Sequence, residues 1–158
     1  MKSIKYNSSD IQLEVMEELY KIYEQNMKKI AKTIVKFDDE HKKKWIDINL
    51  NTENNNLILY YDDNNSLLGY MFIIISDEMN YVSELQLIED KQEDGETFKS
   101  VVRETFKYLT PGKPIKYKTW PTNAKMGAIS EKFNAVFDKE SRLTIEYDTI
   151  KNYLENDK

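Results

Sequence analysis

The sequence contains no cysteine and only one histidine, four glycines and three prolines among its 158 residues. The lack of cysteine excludes disulfides, thiolate metal sites and a cysteine nucleophile. The single histidine, His41, stands directly before Lys42, Lys43 and Lys44, a setting typical of a solvated surface residue. We therefore expect no metal site, because zinc centres need several histidine, cysteine or carboxylate ligands.

Long hydrophobic runs are also missing. The longest apolar segment, residues 70–75, is far too short to cross a bilayer, and residues 1–4 do not resemble the start of a signal peptide. The net charge is −5, and an acidic protein is repelled by nucleic acid and by anionic membranes. These observations predict a cytoplasmic protein that binds neither nucleic acid nor membranes, and they favour cationic partners.

The patterns that are present predict a single domain in which strands and helices alternate. A chain of this length can bury a substantial core. Apolar alternation and apolar runs bounded by turns predict strands at residues 2–6, 57–61, 66–76, 81–88, 114–120, 136–137 and 143–150. Apolar residues at helical spacing predict helices at residues 15–34, 38–50, 98–109 and 124–133, the first opened by a capping box at residues 9–12. Residues 151–158 are expected to form a polar, frayed tail.

The central part of the chain, residues 81–120, has the pattern of a βαβ unit. An alternating strand is followed by a polar turn, an amphipathic helix that ends before Pro111-Gly112, and a second strand. The crossover in such a unit is right-handed and places the two strands parallel. The turn before the helix presents free backbone N–H groups, which is a suitable arrangement for binding phosphate.

Four passages, in order along about half of the chain, resemble the GNAT superfamily of acyl-CoA-dependent N-acyltransferases. The passages are residues 57–72 with Gly69-Tyr70 after the hairpin, the strand Glu84-Leu85-Gln86-Leu87, the turn Gln92-Glu93-Asp94-Gly95-Glu96-Thr97, and residues 123–137 with Glu131-Lys132-Phe133. The turn is similar to the family's (Arg/Gln)-x-x-Gly-x-(Gly/Ala) loop. The resemblance implies an α/β (α+β) fold with a mixed, mostly antiparallel central sheet, a βαβ cofactor-binding unit and flanking helices, in one domain spanning residues 1–158.

The same resemblance implies acetyl transfer from acetyl-CoA to a primary amine. Glu84 stands where many relatives have a carboxylate base, and Ser130 stands where the family usually has the tyrosine that protonates the departing thiolate. The cofactor-binding residues that the resemblance implies are Leu85, Leu87 and Ile88 on the central strand, Gln92, Glu93, Asp94, Gly95, Glu96 and Thr97 in the turn, and Asn123 at the start of the following helix. The resemblance leaves a homodimer open.

Three departures from the family pattern leave a second function open. Thr97 replaces a small residue, the turn contains five carboxylates and only Lys91 as a cation, and Ser130 replaces the phenol. The alternative is therefore a catalytically impaired GNAT-fold protein that binds acyl-CoA or acts by recognition. If the protein is an enzyme, the phenol of Tyr117 or Tyr147 could replace the missing tyrosine.

The acceptor is an amine whose identity the resemblance leaves open. It could be a small amine, a lysine side chain or a chain N-terminus. The acidic residues Asp38, Asp39 and Glu40 between the first two helices favour a cationic acceptor if they face the cleft.

Overall fold

The computed structural model describes residues 1–31 and 33–156 of the chain. Within these residues, seven strands and five α-helices follow one another in a mixed α/β order, and two short 3₁₀ turns separate some of them. The elements are β1 (Lys2–Asn7), α1 (Leu13–Ala31), α2 (Asp39–Asn51), β2 (Asn55–Tyr61), β3 (Leu67–Ile75), β4 (Asn80–Leu87), α3 (Gly95–Phe106), β5 (Ile115–Tyr117), α4 (Ala124–Lys132), β6 (Val136–Phe137), β7 (Leu143–Ile145) and α5 (Tyr147–Glu155).

All seven strands belong to one sheet, in the order β1-β2-β3-β4-β5-β7-β6. Strands β1 to β4 form an antiparallel meander, and β7 pairs antiparallel with both β5 and β6. The pair β4–β5 is parallel, as the βαβ unit predicted. The predicted mixed, mostly antiparallel sheet with flanking helices is therefore confirmed.

The alternation of side chains along the central strands supplies a separate core for each face of the sheet. On one face, Leu57, Leu59, Tyr70 and Phe72 pack against α1 and α2. The opposite face consists mainly of Ile58, Tyr60, Met71, Ile73 and Leu87, and it packs against α3, whose Val101 is fully buried there. A third cluster joins β5 and β7 to α4 and α5.

A β-bulge in β4 changes which face its side chains meet. Phe72 pairs with Glu84 and Ile73 pairs with Val82, so that Ser83 is an extra residue in β4. Val82 lies on the α3 face, whereas two residues later Glu84 lies on the α1–α2 face beside Phe72. Without the bulge, residues 82 and 84 would point to the same face.

Strands β4 and β5 stay together for only three residue pairs, the last of which joins Val82 to Tyr117. Beyond this point β4 continues from Ser83 to Leu87 while β5 has ended. The pairing begins at the fully buried Asn80, which is opposite Ile115. The Asn80 side chain accepts from Thr110 N at 2.8 Å and donates to Thr110 O and Lys113 O at 3.2 Å. The α3–β5 loop is thus fixed to β4, and the split between the strands has a defined position.

Two sequence predictions about helices are wrong. Helix α1 begins at Leu13 without the predicted capping box, because residues 8–10 form a 3₁₀ turn in which the buried Ser8 hydroxyl donates to Asn55 O. The predicted last strand ends at Ile145, and the residues that follow form α5. Tyr147 and Ile150 recur at helical spacing, and they pack on Phe106 and in the β5–β7 core. The frayed tail is also wrong for residues 151–155, and residues 157–158 lie outside the described residues.

We predict that Gly69→Ala destabilises the protein by about 1–3 kcal/mol or more, measured by urea unfolding. A Cβ at Gly69 would lie 2.3 Å from Gln86 O and 2.9 Å from Leu87 Cα, both backbone atoms of β4. Gly127→Ala in α4 is the matched control, because a Cβ there meets nothing within 4 Å. The control should be neutral or stabilise by up to ~1 kcal/mol. Equal stability of the Gly69→Ala variant and the wild type would show that β3 and β4 are not packed this closely.

Candidate functional site

Glu84 presents a partly buried carboxyl group beneath the α1–α2 layer. Tyr70 Oη donates to Glu84 Oε1, and Trp45 Nε1 donates to Glu84 Oε2 at 2.9 Å. Burial raises the pKa of Glu84 from 4.5 to about 7, although both hydrogen bonds favour the carboxylate and act in the opposite direction. Folding therefore favours the protonated form between these two values, and this group's contribution to the free energy of unfolding falls as the pH rises from 4.5 to 7.

Aromatic rings surround this carboxyl on the α1–α2 side. The ring centroids of Tyr20 and Tyr23 each lie 5.4 Å from that of Trp45. His41 stacks on Tyr23 at 5.8 Å, and its Nδ1 lies 2.9 Å from Tyr20 Oη. The prediction of a solvated histidine is therefore wrong, because α2 turns His41 toward α1. Of the lysines beside it, Lys43 and Lys44 are exposed, whereas Lys42 pairs with Glu17 of α1 at 3.5 Å. Phe37 completes this aromatic cluster, with its ring 5.2 Å from His41.

A cavity of about 340 Å³ lies where β4 and β5 separate. Glu84, Leu85 and Asn123 are among the predicted site residues that line it, together with Tyr23 and Tyr117. Leu87, Ile88 and the turn from Gln92 to Thr97 are not among its described lining residues. The structure thus brings the base candidate, part of the central strand and the start of α4 together around one cavity.

The central strand offers one unpaired edge along this cavity. After Val82 the β5 side of β4 carries no partner strand within the described residues. Leu85 and Leu87 pack toward α3, and Ile88 N donates to Leu68 O on β3 at 3.0 Å. Backbone groups on the open edge are therefore available to an extended ligand with amides of its own, except Leu87 O, which accepts from two side chains.

Gln92, the first residue of the predicted phosphate turn, points inward. Its Nε2 donates to Asn26 Oδ1 at 2.6 Å and to Leu87 O at 3.1 Å. Asn26 in turn donates to Gln86 Oε1 at 3.0 Å and to Leu87 O at 2.9 Å. These amides join α1, β4 and the turn, so the side chain of Gln92 has a structural role in this conformation.

Asp94 is the N-cap of α3 and occupies the N–H groups expected to face a phosphate. Its Oδ1 accepts from Glu96 N at 3.1 Å and from Thr97 N at 3.3 Å, while Thr97 Oγ1 donates to Oδ2 at 2.6 Å. These bonds hold the pKa of Asp94 below its usual value. The chain's own carboxylate therefore already meets the positive end of the helix dipole.

Lysines from neighbouring helices offset part of the negative charge in this turn. Lys29 of α1 pairs with Glu89, and Lys125 of α4 approaches Glu93 at 3.7 Å. Gly95 lies in open space, since a Cβ there would meet nothing within 4 Å. The turn is accessible, and its local charge is more balanced than the sequence alone indicates.

Ser130 and Tyr117 form a hydroxyl pair, of which Tyr117 lines the cavity whereas Ser130 is not among its described lining residues. Tyr117 Oη lies 2.6 Å from Ser130 Oγ, and Ser130 Oγ donates to Met126 O at 2.8 Å. The serine proton is used on that carbonyl, so Tyr117 must be the donor to Ser130 Oγ. Burial raises the pKa of Tyr117. Asn123 caps α4 by accepting from Met126 N at 3.2 Å, as its residue type predicted.

The sequence also predicted roles for Tyr147 and for the acidic residues 38–40, and these residues lie in different parts of the structure. Tyr147 belongs to α5, where its ring stacks on Phe106 at 4.5 Å, and not to a strand beside the cleft. Asp38 caps α2 by accepting from His41 N at 2.9 Å. Burial is the largest cause that raises the pKa of Tyr20 to about 12, and the negative charges of Asp38 and Asp39 add to this rise. These two carboxylates therefore lie near the aromatic cluster; Glu40 pairs with Lys44 at 3.1 Å.

Within residues 1–31 and 33–156, no group of three or more histidine and carboxylate side chains could hold a metal ion. None of the helices there is both long and apolar enough to cross a membrane.

Sequence reasoning missed the residues that give Glu84 its environment. Trp45 and Tyr70 are separated from Glu84 by 39 and 14 positions, and their contacts arise only when α2 packs on the sheet. The one signal was the apolar pair Trp45-Ile46 on the inner face of α2. That signal predicts burial but does not indicate which carboxylate the indole N–H meets.

We predict that Trp45→Phe raises the pKa of Glu84 above its wild-type value of about 7, because the carboxylate loses a hydrogen-bond donor. The measurement is a ¹³C NMR titration of the Glu84 side-chain carboxyl carbon. Tyr6→Phe, which removes a phenol from the edge strand β1, is the control and should leave the titration unchanged. A wild-type midpoint near 4.5, or a lower midpoint in Trp45→Phe, would contradict this description of the site.

The fold has counterparts among solved structures, although no protein-family model and no curated protein matches the chain. It is similar to spermidine N-acetyltransferase from Vibrio cholerae in complex with CoA and spermine, with a TM-score of 0.62, 10% identity, and coverage of 96% of this chain and 99% of that one. A GNAT-family acetyltransferase from Staphylococcus aureus Mu50 gives a TM-score of 0.60 at 11% identity, over 92% of this chain and 99% of the other.

A third similar structure is PaiA N-acetyltransferase from Thermoplasma acidophilum in complex with coenzyme A, with a TM-score of 0.55, 12% identity, and coverage of 92% and 98%. Such identities establish the likeness of the folds alone. This chain has the fold of the GNAT-superfamily acyltransferases.

Proposed function

We propose that this chain is an N-acetyltransferase that moves an acetyl group from acetyl-CoA to a primary amine, with Glu84 as general base. The observation that carries this proposal is the position of the Glu84 carboxyl. It lines the cavity at the point where β4 and β5 separate, and its pKa of about 7 suits a base at neutral pH.

The open edge of β4 is the proposed binding surface for the donor. The pantetheine arm of acetyl-CoA contains two amides, which can pair with unpaired backbone groups beside Leu85 as an added strand would. Leu87 O already accepts from Asn26 and Gln92. Gly95 and the start of α3 would face the pyrophosphate. The CoA complexes of the Vibrio and Thermoplasma proteins, which share this fold, support a CoA thioester as the donor.

The reaction requires a neutral amine next to the thioester. Glu84 takes a proton from the ammonium group, directly or through one water, and the amine nitrogen then forms a bond to the carbonyl carbon. The C–S bond breaks and the nitrogen gives up a second proton to water, so that the products are an amide and a thiolate that must be protonated. The two donors to Glu84, Tyr70 and Trp45, stabilise its carboxylate form before the proton is taken.

The Tyr117 phenol is our candidate for the group that protonates the thiolate. It lines the same cavity as Glu84 and is held by Ser130, which occupies the family's usual tyrosine position. A phenol is a far stronger acid than the serine hydroxyl that holds it. Ser130 is then a positioning residue, and Tyr117 gives its proton to the sulfur instead of to Ser130 Oγ.

The acceptor that fits this site best is a cationic amine. Tyr23 lines the cavity next to Glu84, and the face of its ring can attract an ammonium group. Asp38 already pairs with Lys36 at 3.6 Å, so aromatic faces rather than surface carboxylates would supply most of the recognition. The spermine complex of the Vibrio enzyme supports a polyamine as the first acceptor to test.

The second candidate function is recognition without turnover. The specific observation in its favour is Asp94, whose carboxylate holds the two N–H groups that an acyltransferase would offer to pyrophosphate. A protein of this kind would bind acyl-CoA weakly or not at all and would release no thiol with any amine.

The test is thiol release from acetyl-CoA over a panel of cationic and neutral amines, at low and high salt. Turnover should rise with pH to a plateau with a midpoint near 7, because only ionised Glu84 accepts a proton. Glu84→Gln should lower kcat by about 10²-fold and remove this pH dependence while the affinity for acetyl-CoA stays nearly unchanged. The exposed Glu78→Gln, in the turn before β4, is the control and should behave as the wild type.

Each other outcome of that experiment has a distinct meaning. Wild-type turnover in Glu84→Gln across the pH range would remove Glu84 from the mechanism. Binding of acetyl-CoA without thiol release from any amine would favour the recognition module. A preference for neutral amines at every salt concentration would contradict the cationic acceptor, because exposed charges steer ligands less as salt increases. Tyr117→Phe should lower kcat and spare the affinity if Tyr117 is the acid.

We further predict that Asp94→Asn strengthens acetyl-CoA binding by about three- to tenfold, measured by calorimetry, because it removes a negative charge next to the proposed pyrophosphate position. Asparagine caps a helix as well as aspartate does, so the helix should keep its stability. Asp148→Asn in α5 makes the same change in net charge at an exposed position and should leave the affinity unchanged. Equal or weaker binding by Asp94→Asn would show that the pyrophosphate does not lie at this turn.

A further inference from the structure

The cavity beside Glu84 continues well beyond the point that an acetyl group needs. One end is lined by Trp120 and Asn123, which are partly exposed, and by Tyr23 and Glu84. The other end is formed by fully or almost fully buried apolar side chains of α3, the α3–β5 loop, β7 and α5, namely Val101, Leu109, Ile145 and Ile150. The cavity therefore has a deep apolar end behind the strand split.

The deep end lies along the paired part of β4 and β5. Tyr117 forms the last pair before the split, and Ile115, two residues further back, also lines the cavity. Two residues of a strand span roughly 7 Å. A group attached to a thioester at the split and directed toward Ile115 would thus have space for several methylenes.

The chemistry of the deep end selects an alkyl chain. The polar side chain at the deep end is that of Thr105. Its hydroxyl is already bonded to Tyr60 Oη at 2.6 Å and to Val101 O at 2.8 Å. The other lining groups there are aliphatic or aromatic, including Phe106 and Leu109. An ammonium or a second carboxylate placed here would lose its hydration without gaining a partner, which is costly.

The amine acceptor is recognised in a different part of the site from the deep apolar end. The aromatic cluster of α1 and α2 lies on the opposite face of the sheet from α3, and only Tyr23 of that cluster lines the cavity. The two faces are separated by β4, whose bulge directs Glu84 toward one and Val82 toward the other. The deep apolar end is thus on the donor side.

We propose that the donor carries an acyl chain of about four to eight carbons, which occupies the deep end of this cavity, and that the enzyme prefers such donors to acetyl-CoA. This inference rests on the proposed acyl transfer. The reaction is otherwise the same: the amine nitrogen bonds to the thioester carbonyl carbon, the C–S bond breaks, and the thiol leaves with one proton. Glu84 and Tyr117 keep their roles, while the side chains around Ile115 determine the length of the acyl group.

The first test compares acetyl-, butanoyl-, hexanoyl-, octanoyl- and dodecanoyl-CoA by kcat/KM with one reactive amine. Each buried methylene contributes roughly a fourfold factor, so hexanoyl-CoA should exceed acetyl-CoA by at least tenfold, and the rise should end once the chain outgrows the cavity. In parallel, calorimetry with the unreactive thioethers S-ethyl-CoA and S-hexyl-CoA measures chain binding without turnover. S-hexyl-CoA should bind at least tenfold more tightly.

Blocking variants locate the effect. Ile115→Phe adds bulk at the deep end and should reduce the hexanoyl-to-acetyl ratio of kcat/KM from at least ten to near one. Val102→Phe fills the same space from α3 and serves as the second variant should Ile115→Phe fail to fold. Ile48→Phe is the matched control on α2, where the side chain is 63% exposed, and should keep the wild-type ratio.

The outcomes separate this inference from the proposed function. Turnover of acetyl-CoA with no gain from longer chains, and equal affinity for the two thioethers, would overturn the acyl-chain inference alone. Tighter binding of S-hexyl-CoA without thiol release from any amine would support the chain pocket and contradict the enzyme. Absence of both thioether binding and thiol release would contradict both. A hexanoyl preference that survives Ile115→Phe and Val102→Phe would place the chain elsewhere.

Discussion

One extra residue in β4 determines the layout of the site. The bulge at Ser83 turns Glu84 toward the aromatic layer of α1 and α2, while Val82 and Leu85 on either side pack toward α3. The same stretch of β4 is where β5 ends, so the carboxyl group stands next to an open strand edge. If β4 continued without the bulge, residue 84 would face α3, and the indole of Trp45 and the phenol of Tyr70 would have no carboxylate to meet.

Opposite electrostatic effects act on Glu84 in β4 and on Asp94 at the start of α3. At Glu84, burial outweighs two hydrogen bonds and leaves a carboxyl group that changes its charge near neutral pH. At Asp94, exposed hydrogen bonds to the start of α3 favour the carboxylate and lower its pKa. The first is the environment of a general base, whereas the second competes with an anionic ligand for the same N–H groups. The catalytic end of the proposed site is therefore better formed than the phosphate end.

The parts of this molecule that local patterns encode were predictable from the sequence. The strands of the meander, the parallel βαβ pair and the caps at Asp38 and Asn123 all depend on residue type and spacing over a few positions. The environment of Glu84 and the role of Gln92 depend on packing between distant segments, which spacing does not encode. The last helix was mistaken for a strand because its apolar residues, Tyr147 and Ile150, follow directly on the alternation of β7.

We propose that an acyl-CoA thioester lies along the open edge of β4, next to Glu84. Backbone amide hydrogen exchange measures this directly, because an arm that pairs with the strand protects amides on that edge. Acetyl-CoA should slow exchange of the amides in residues 83–87 that face this edge. It should leave residues 80–82, already paired with β5, and Ile88, whose N–H is bonded to Leu68 O, unchanged. Unaltered exchange in residues 83–87 at millimolar acetyl-CoA, or protection confined to other strands, would contradict the account.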